Sequence, residues 1–240
     1  EIGNQKIFFS DKKMILNSIK IKNWNLVNSL KLNIIKELSG YKKISSDLSF
    51  NKARINSKEI KKNDIFFAIK GKKEDGNFYV DEAFKKGASI AIVNKIKNSN
   101  KKNKQIKVSN TLEFLTKSSK IVRENFDGRI IAITGSCGKT SLKELLGNTI
   151  NKYSSATFSP KSFNNKYGVP LSLFNLNLNH KNGVFEVGMD RKGEINSLSK
   201  IINPDIVFTL STAGERNEMI AAFFESPAEK TDLWSCRLKQ

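Results

Sequence analysis

The stretch Arg129-Ile130-Ile131-Ala132-Ile133-Thr134-Gly135-Ser136-Cys137-Gly138-Lys139-Thr140 decides how this chain is read. The apolar run Ile130-Ile131-Ala132-Ile133 predicts a buried strand, and the residues from 141 to 152 predict a helix just beyond Thr140. A Gly-containing turn between strand and helix lets backbone N–H groups converge on an anion at the positive helix end. Lys139 adds a point charge for the β and γ phosphates, and the Thr140 hydroxyl is a ligand for magnesium. Thr134, Gly135, Ser136, Cys137, Gly138, Lys139 and Thr140 are therefore expected to bind ATP with Mg2+, Lys139 also serving catalysis. The strict phosphate-loop spacing would put a further Gly at position 133, where Ile133 stands, so the match is to a variant loop.

Outward from this loop, strands and helices alternate. Strands are expected at 155–158, 183–187 and 205–210, and helices at 169–176 and 193–202, an order that implies a mostly parallel sheet with ligands at its carboxyl end. Upstream, a strand at 65–69, a polar turn at 71–76, a helix at 78–86 and a strand at 89–93 form one α/β unit. A helix at 111–125 closes at Asp127-Gly128, where a domain boundary is placed, and a further helix is expected around Leu26 to Leu38, stopped by Gly40. The fold class is thus α/β, with a small N-terminal α/β domain followed by a partial P-loop parallel-sheet domain.

Magnesium needs an acidic partner besides Thr140. Glu186 interrupts the apolar strand Val184-Phe185-Glu186-Val187 at its carboxyl end, where a charge is costly unless it faces a cation, so Thr140 and Glu186 are the expected metal ligands. Asp190 is a weaker rival. His180, the only histidine, sits in an Asn-rich turn and reads as a surface residue.

The chain has 240 residues and a formal charge of +19, which invites a nucleic-acid partner. Only six of its 42 basic residues are Arg, and the lysines are scattered rather than clustered, which disfavours that partner. No run is long and apolar enough for a membrane span, and the first residues lack a secretory signal pattern, so a cytoplasmic location is expected. Cys137 and Cys236, the only cysteines, suggest neither a disulfide framework nor a metal cluster.

Three stretches together resemble the Mur ligase family, ATP-dependent enzymes that add amino acids to the UDP-linked peptidoglycan precursor. The phosphate loop resembles that family's, missing first Gly included, with Cys137 where Asn is common. The run Phe163-Asn164-Asn165-Lys166-Tyr167-Gly168-Val169-Pro170-Leu171, then Glu186-Val187-Gly188 and Gly193-Glu194-Ile195, resembles the branch that attaches D-alanyl-D-alanine to the tripeptide precursor. Asn56-Ser57-Lys58, Asp64 to Gly71, Asp75-Gly76 and Gly87-Ala88 resemble the UDP-substrate domain, with Asn56-Ser57-Lys58 in place of the usual Asp-Ser-Arg.

The resemblance implies that Ser57, Lys58, Asp75 and Gly76 bind UDP-MurNAc-tripeptide, and that Asn164 and Asn165 join Lys139 in the catalytic cleft. It also implies an acyl-phosphate mechanism and a third, C-terminal domain needed to complete the site for D-alanyl-D-alanine; this chain is then a truncated form. The expected domains are an extension at 1–43, a UDP-precursor domain at 44–127 and a partial central ATP domain at 128–240, atypical from 211. In that tail Ser211-Thr212-Ala213-Gly214-Glu215-Arg216 replaces the family's Asn-Ile-Gly and metal-binding His, while Phe223-Phe224-Glu225-Ser226 fits a later piece of the pattern. Residues 7–13 faintly resemble the end of the preceding ligase of the same pathway. Two other classes compete with the ligase: an inactive or regulatory nucleotide-binding module, and a basic nucleic-acid-associated ATPase.

Overall fold

The computed structural model describes residues 24–41, 50–99, 101–188, 193–211 and 232–237. Residues 7–13, Asp190, 212–216 and 223–226 lie outside these.

The described residues build two parallel sheets. The first contains β1 (Ala53–Arg54), β2 (Ile65–Phe67), β3 (Ile90–Val93) and β4 (Gln105–Lys107) in sequential order. The second contains β5 (Arg129–Gly135), β6 (Ala156–Phe158), β7 (Asn182–Glu186), β8 (Ile206–Ser211) and β9 (Asp232–Arg237) in the order β6-β7-β5-β8-β9. The strand that feeds the Gly-Lys-Thr loop is therefore central, with Ile133 opposite Glu186 on one side and Phe208 on the other.

The inner strands β2, β3, β5 and β7 are buried on both faces, which is why they are apolar runs instead of alternating patterns. On the first sheet Phe66, Ala68, Ala91 and Val93 face α2 (Val80–Lys85), while Ile65, Phe67, Ile90 and Ile92 face a shared layer of helices. That layer comprises α1 (Trp24–Ser39), α3 (Thr111–Glu124), α5 (Gly168–Phe174) and α6 (Glu194–Ile202). Ile130, Ala132, Phe185 and Val207 of the second sheet close the same core from the far side, so one apolar cluster runs from sheet to sheet. The outer face of the second sheet, through Ile131, Ile133 and Val184, packs on α4 (Lys139–Tyr153).

Specific contacts lock the two sheets together. Phe174 of α5 stacks near Phe50 at 6.2 Å and meets Phe67 of β2 edge-on at 5.5 Å; each fully buried Phe stabilises by about 2–3 kcal/mol. The Asn175 side-chain amide accepts from Ala53 N at 2.8 Å and donates to Ala53 O at 3.0 Å, serving as the missing neighbour of edge strand β1. Lys31 of α1 is buried and donates to Leu176 O at 2.8 Å. Removal from water lowers its pKa to about 7.

Several elements depart from the sequence reading. β1 and β4 are short, and their polar neighbours leave no apolar run to flag them. The helix expected at 78–86 divides into a 3-10 turn, Gly76–Tyr79, capped by Asp75, and α2. Residues 232–237, read only as part of an atypical tail, form a strand parallel to β8.

Candidate active site

The carboxyl ends of β5 and β7 carry the candidate groups. Gly135, at φ 140°, passes so close to β8 that a Cβ there would lie 1.8 Å from the Leu210 carbonyl oxygen, and Ser136 N donates to that oxygen at 3.0 Å. Gly138, at φ 74°, makes the left-handed turn that opens α4. Ser136, Cys137 and Gly138 are exposed, so the loop presents its backbone and the α4 N-terminus to solvent. Thr134 alone of the predicted loop residues is buried within the sheet. Lys139 Nζ lies inside the loop, donating to Gly135 O at 2.5 Å and Ser136 O at 3.4 Å. An arriving phosphate offers that ammonium stronger, charge-assisted acceptors.

Glu186 ends β7 and is 1 % exposed. Its Oε2 accepts from Thr140 Oγ1 at 2.8 Å and its Oε1 from Asn164 Nδ2 at 2.8 Å. Ser162 Oγ stands 3.4 Å from Thr140 Oγ1, and Ser159 Oγ 3.4 Å from the Glu186 amide. Among the described residues Glu186 has no ion-pair partner. A buried carboxylate supported by neutral donors alone gives up part of its hydration, which a bound cation would offset. A carboxylate beside a hydroxyl is an oxygen donor set suited to magnesium, whose shell the phosphates and waters would complete. Among the described residues there is no cluster of three or more His, Cys, Asp and Glu.

The two asparagines separate. Asn164 touches the carboxylate, whereas Asn165 Oδ1 accepts from Tyr167 N at 3.1 Å and Gly168 N at 3.0 Å, holding the start of α5. His180 sits at the opposite, amino end of the strands, against Thr157 Oγ1 at 2.9 Å, with its pKa lowered by burial.

The predicted substrate residues follow the carboxyl ends of β1 and β2. Ser57, buried, donates to Glu82 Oε2 at 2.8 Å, and exposed Lys58 has its backbone N–H held by Asn56 Oδ1 at 3.0 Å. Asp75 accepts from both nitrogens of Asn77, bonds that keep its carboxyl below the ordinary range. Gly76 is pressed against the Ile69 backbone, where a Cβ would lie 2.7 Å away.

A cavity of about 360 Å³ separates this region from the second sheet, with Arg54, Asn56 and Glu59 on one wall and Phe158, Phe163 and Ser172 on the other. The Ser172 hydroxyl has no partner among the described residues. Sequence reasoning missed Ser159, Ser162, Lys143, Lys161 and Glu59. Only the serines carried a signal, as hydroxyls in the turn after a strand.

Comparison with known proteins places the two halves in one family. Residues 50–123 match the Mur ligase family catalytic domain and residues 133–213 the Mur ligase middle domain. The UDP-N-acetylmuramoyl-tripeptide--D-alanyl-D-alanine ligase of Rickettsia prowazekii is 35% identical over 191 residues, 80% of this chain and 42% of that protein. The Haemophilus influenzae enzyme of the same name is 37% identical over 147 residues, 60% of this chain and 32% of its own.

Among solved structures, MurF ligase from Thermotoga maritima in complex with ADP superposes with a TM-score of 0.62 at 28% identity, covering 81% of this chain and 52% of that one. A MurF crystal structure from Acinetobacter baumannii gives 0.68 at 21% identity, covering 85% and 52%, and supports the fold. The chain thus spans less than half the length of the curated relatives it matches.

Proposed function

The chain carries N-terminal and middle domains of the Mur ligase family, and from that premise we propose that it is the nucleotide- and precursor-binding part of a ligase joining D-alanyl-D-alanine to UDP-MurNAc-tripeptide. We assign the precursor to residues 44–127 and ATP to residues 128–240. The observation that carries this reading is buried Glu186, without a cationic partner among the described residues, 2.8 Å from the hydroxyl of the Gly-Lys-Thr loop. The Rickettsia and Haemophilus relatives bear the ligase name, and the Thermotoga relative was solved with ADP.

In the reaction, a carboxylate oxygen of the precursor attacks the γ-phosphorus of ATP and the bond to ADP breaks. The acyl phosphate formed is then attacked at its carbonyl carbon by the amine of the dipeptide, expelling phosphate and releasing a proton. Phosphoryl transfer asks little covalent chemistry of the protein, which acts by positioning and charge neutralisation. The amides of residues 135–140 and the α4 N-terminus would cradle the β and γ phosphates, and Lys139 would exchange its loop carbonyls for phosphate oxygens. Thr140 and Glu186 would hold magnesium, with Asn164 fixing the carboxylate. When bound, the metal supplies neutralisation of the charge shared between the β and γ phosphates. The amine site is assigned to a further domain, and a cytoplasmic setting accords with these substrates. No described helix is long and apolar enough to cross a membrane.

Calorimetry with MgATP, together with an assay for ligated product when a C-terminal domain is supplied separately, tests the proposal. Lys139→Ala should weaken MgATP binding by about 100-fold, the usual scale for removing a buried charge-assisted contact. Unchanged affinity would defeat the site assignment. Nucleotide binding with no product under any complementation would favour the regulatory module, and salt-sensitive RNA- or DNA-stimulated hydrolysis the nucleic-acid ATPase.

A further inference from the structure

Residues 159–164, between β6 and α5, touch both candidate sites at once. On the inner side Lys143, fully buried one turn beyond Lys139 on α4, donates to the Lys161 carbonyl oxygen and pairs with Glu144 at 3.0 Å. Ser162 and Asn164 of the same segment meet Thr140 and Glu186. On the outer side Lys161 Nζ reaches Glu59 Oε1 at 2.9 Å, and Glu59 belongs to the 3-10 turn Ser57–Glu59 that carries the predicted substrate residues. Lys161 has φ 51°, a left-handed conformation that a side chain with a Cβ rarely adopts. Its carbonyl is held from one domain and its ammonium from the other.

We propose that this segment is a coupling strap, with Lys143 and Lys161 as positioning residues, through which magnesium-nucleotide and the UDP-linked precursor bind cooperatively. The inference rests on the function proposed above and adds a physical link between its two ligands. A cation at Glu186 draws Thr140 and Asn164 into its surroundings and steadies the turn from the inner end. A precursor against Ser57–Glu59 steadies it from the outer end. Whichever ligand arrives first holds the strained turn, so the second meets an arranged strap and the coupling is reciprocal. The Lys161–Glu59 pair is solvent-exposed on the Lys side, which limits the effect to a modest factor.

The test is calorimetric titration of the chain with MgADP, with and without saturating UDP-MurNAc-tripeptide. In the unaltered protein the precursor should tighten MgADP by about fivefold, the lower end of allosteric couplings. Lys161→Gly keeps the turn, since glycine accepts its φ. It should leave the affinity for MgADP alone within about twofold, as expected for loss of one exposed ion pair, while abolishing the enhancement. Glu59→Gln should do the same, and the double variant no more. Lys143→Met should weaken MgADP itself by about tenfold, a usual cost for losing an outer contact of a metal site, in protein whose thermal melt remains cooperative.

An enhancement that survives in Lys161→Gly, or is missing from the unaltered protein although both ligands bind, overturns the strap and leaves the proposed function standing. Absence of any MgADP binding by the unaltered chain overturns both.

Discussion

Two hydroxyl–carboxylate pairs in this molecule have the same length and opposite meaning. Thr140 donates to Glu186 at 2.8 Å and Ser57 to Glu82 at 2.8 Å. Glu82 is half-exposed on α2, and its other oxygen pairs with Lys86 one turn on at 2.9 Å, so its charge is already matched. Glu186 is sealed at the end of β7, and among the described residues its second oxygen meets only the neutral Asn164. A hydrogen bond therefore says little about function until the remaining valence of the carboxylate is counted: one pair is a staple, the other the seat we propose for a cation.

The comparison breaks most visibly at Glu186. Glu186→Gln keeps both hydrogen-bonding partners within reach but removes the buried charge. MgADP affinity should fall by about 10- to 100-fold, the difference between magnesium and EDTA should vanish, and the thermal midpoint without ligand should rise because an unmatched buried charge is gone. A lower midpoint together with intact magnesium dependence would show that the carboxylate serves only packing.

Lys31 sharpens the contrast from the side of the cations, being a buried ammonium that among the described residues meets the Leu176 carbonyl and, at 5.8 Å, the Phe174 ring, with no carboxylate beside it. Its pKa is about 7 in the folded state against 10.5 ordinarily. Between those values the unfolded chain holds the proton and the folded one does not, so stability should rise with pH across that window, by a few kcal/mol at most. Below about pH 7 both forms are protonated and the penalty is felt in full. Urea unfolding at a series of pH values should show this slope, flattened in Lys31→Met; equal slopes in the two proteins would exclude Lys31 as its source.

The smallest effect belongs to Ser57→Ala. With Lys86 still beside Glu82, the thermal midpoint should fall by about 2 °C or less, as expected for the net worth of one hydrogen bond in a chain of this size. MgADP binding should be unchanged. A large loss of MgADP affinity would mean that the two pairs are not the independent objects their surroundings indicate.

How legible all this was in the sequence depended on range. The phosphate loop is local chemistry, a strand, a Gly-Lys-Thr and a helix, and Glu186 stood out because a charge interrupts Val184-Phe185-Val187. The parallel sheet followed from the alternation of elements, but the central place of β5 came only with the structure; β1 and β4, with Lys52 beside the one and Arg54 and Lys107 within them, offered no apolar run to read. Asn164 and Asn165 looked equivalent in line and are separated by geometry, since one faces a carboxylate and the other a helix start. Nothing in the sequence marks Lys161 as left-handed, and nothing pairs it with Glu59, which lies 102 positions away.

The apolar mass that passes without interruption from the first sheet through α1, α3, α5 and α6 to the second has an evolutionary consequence. Each half keeps a smaller apolar cluster of its own, under α2 and under α4, but the largest is shared, so exchanging one half for a distant relative's would mismatch the side chains that meet across it. Exchange of a whole half is therefore costly, whereas single replacements in the surface turns leave the shared interior uncut.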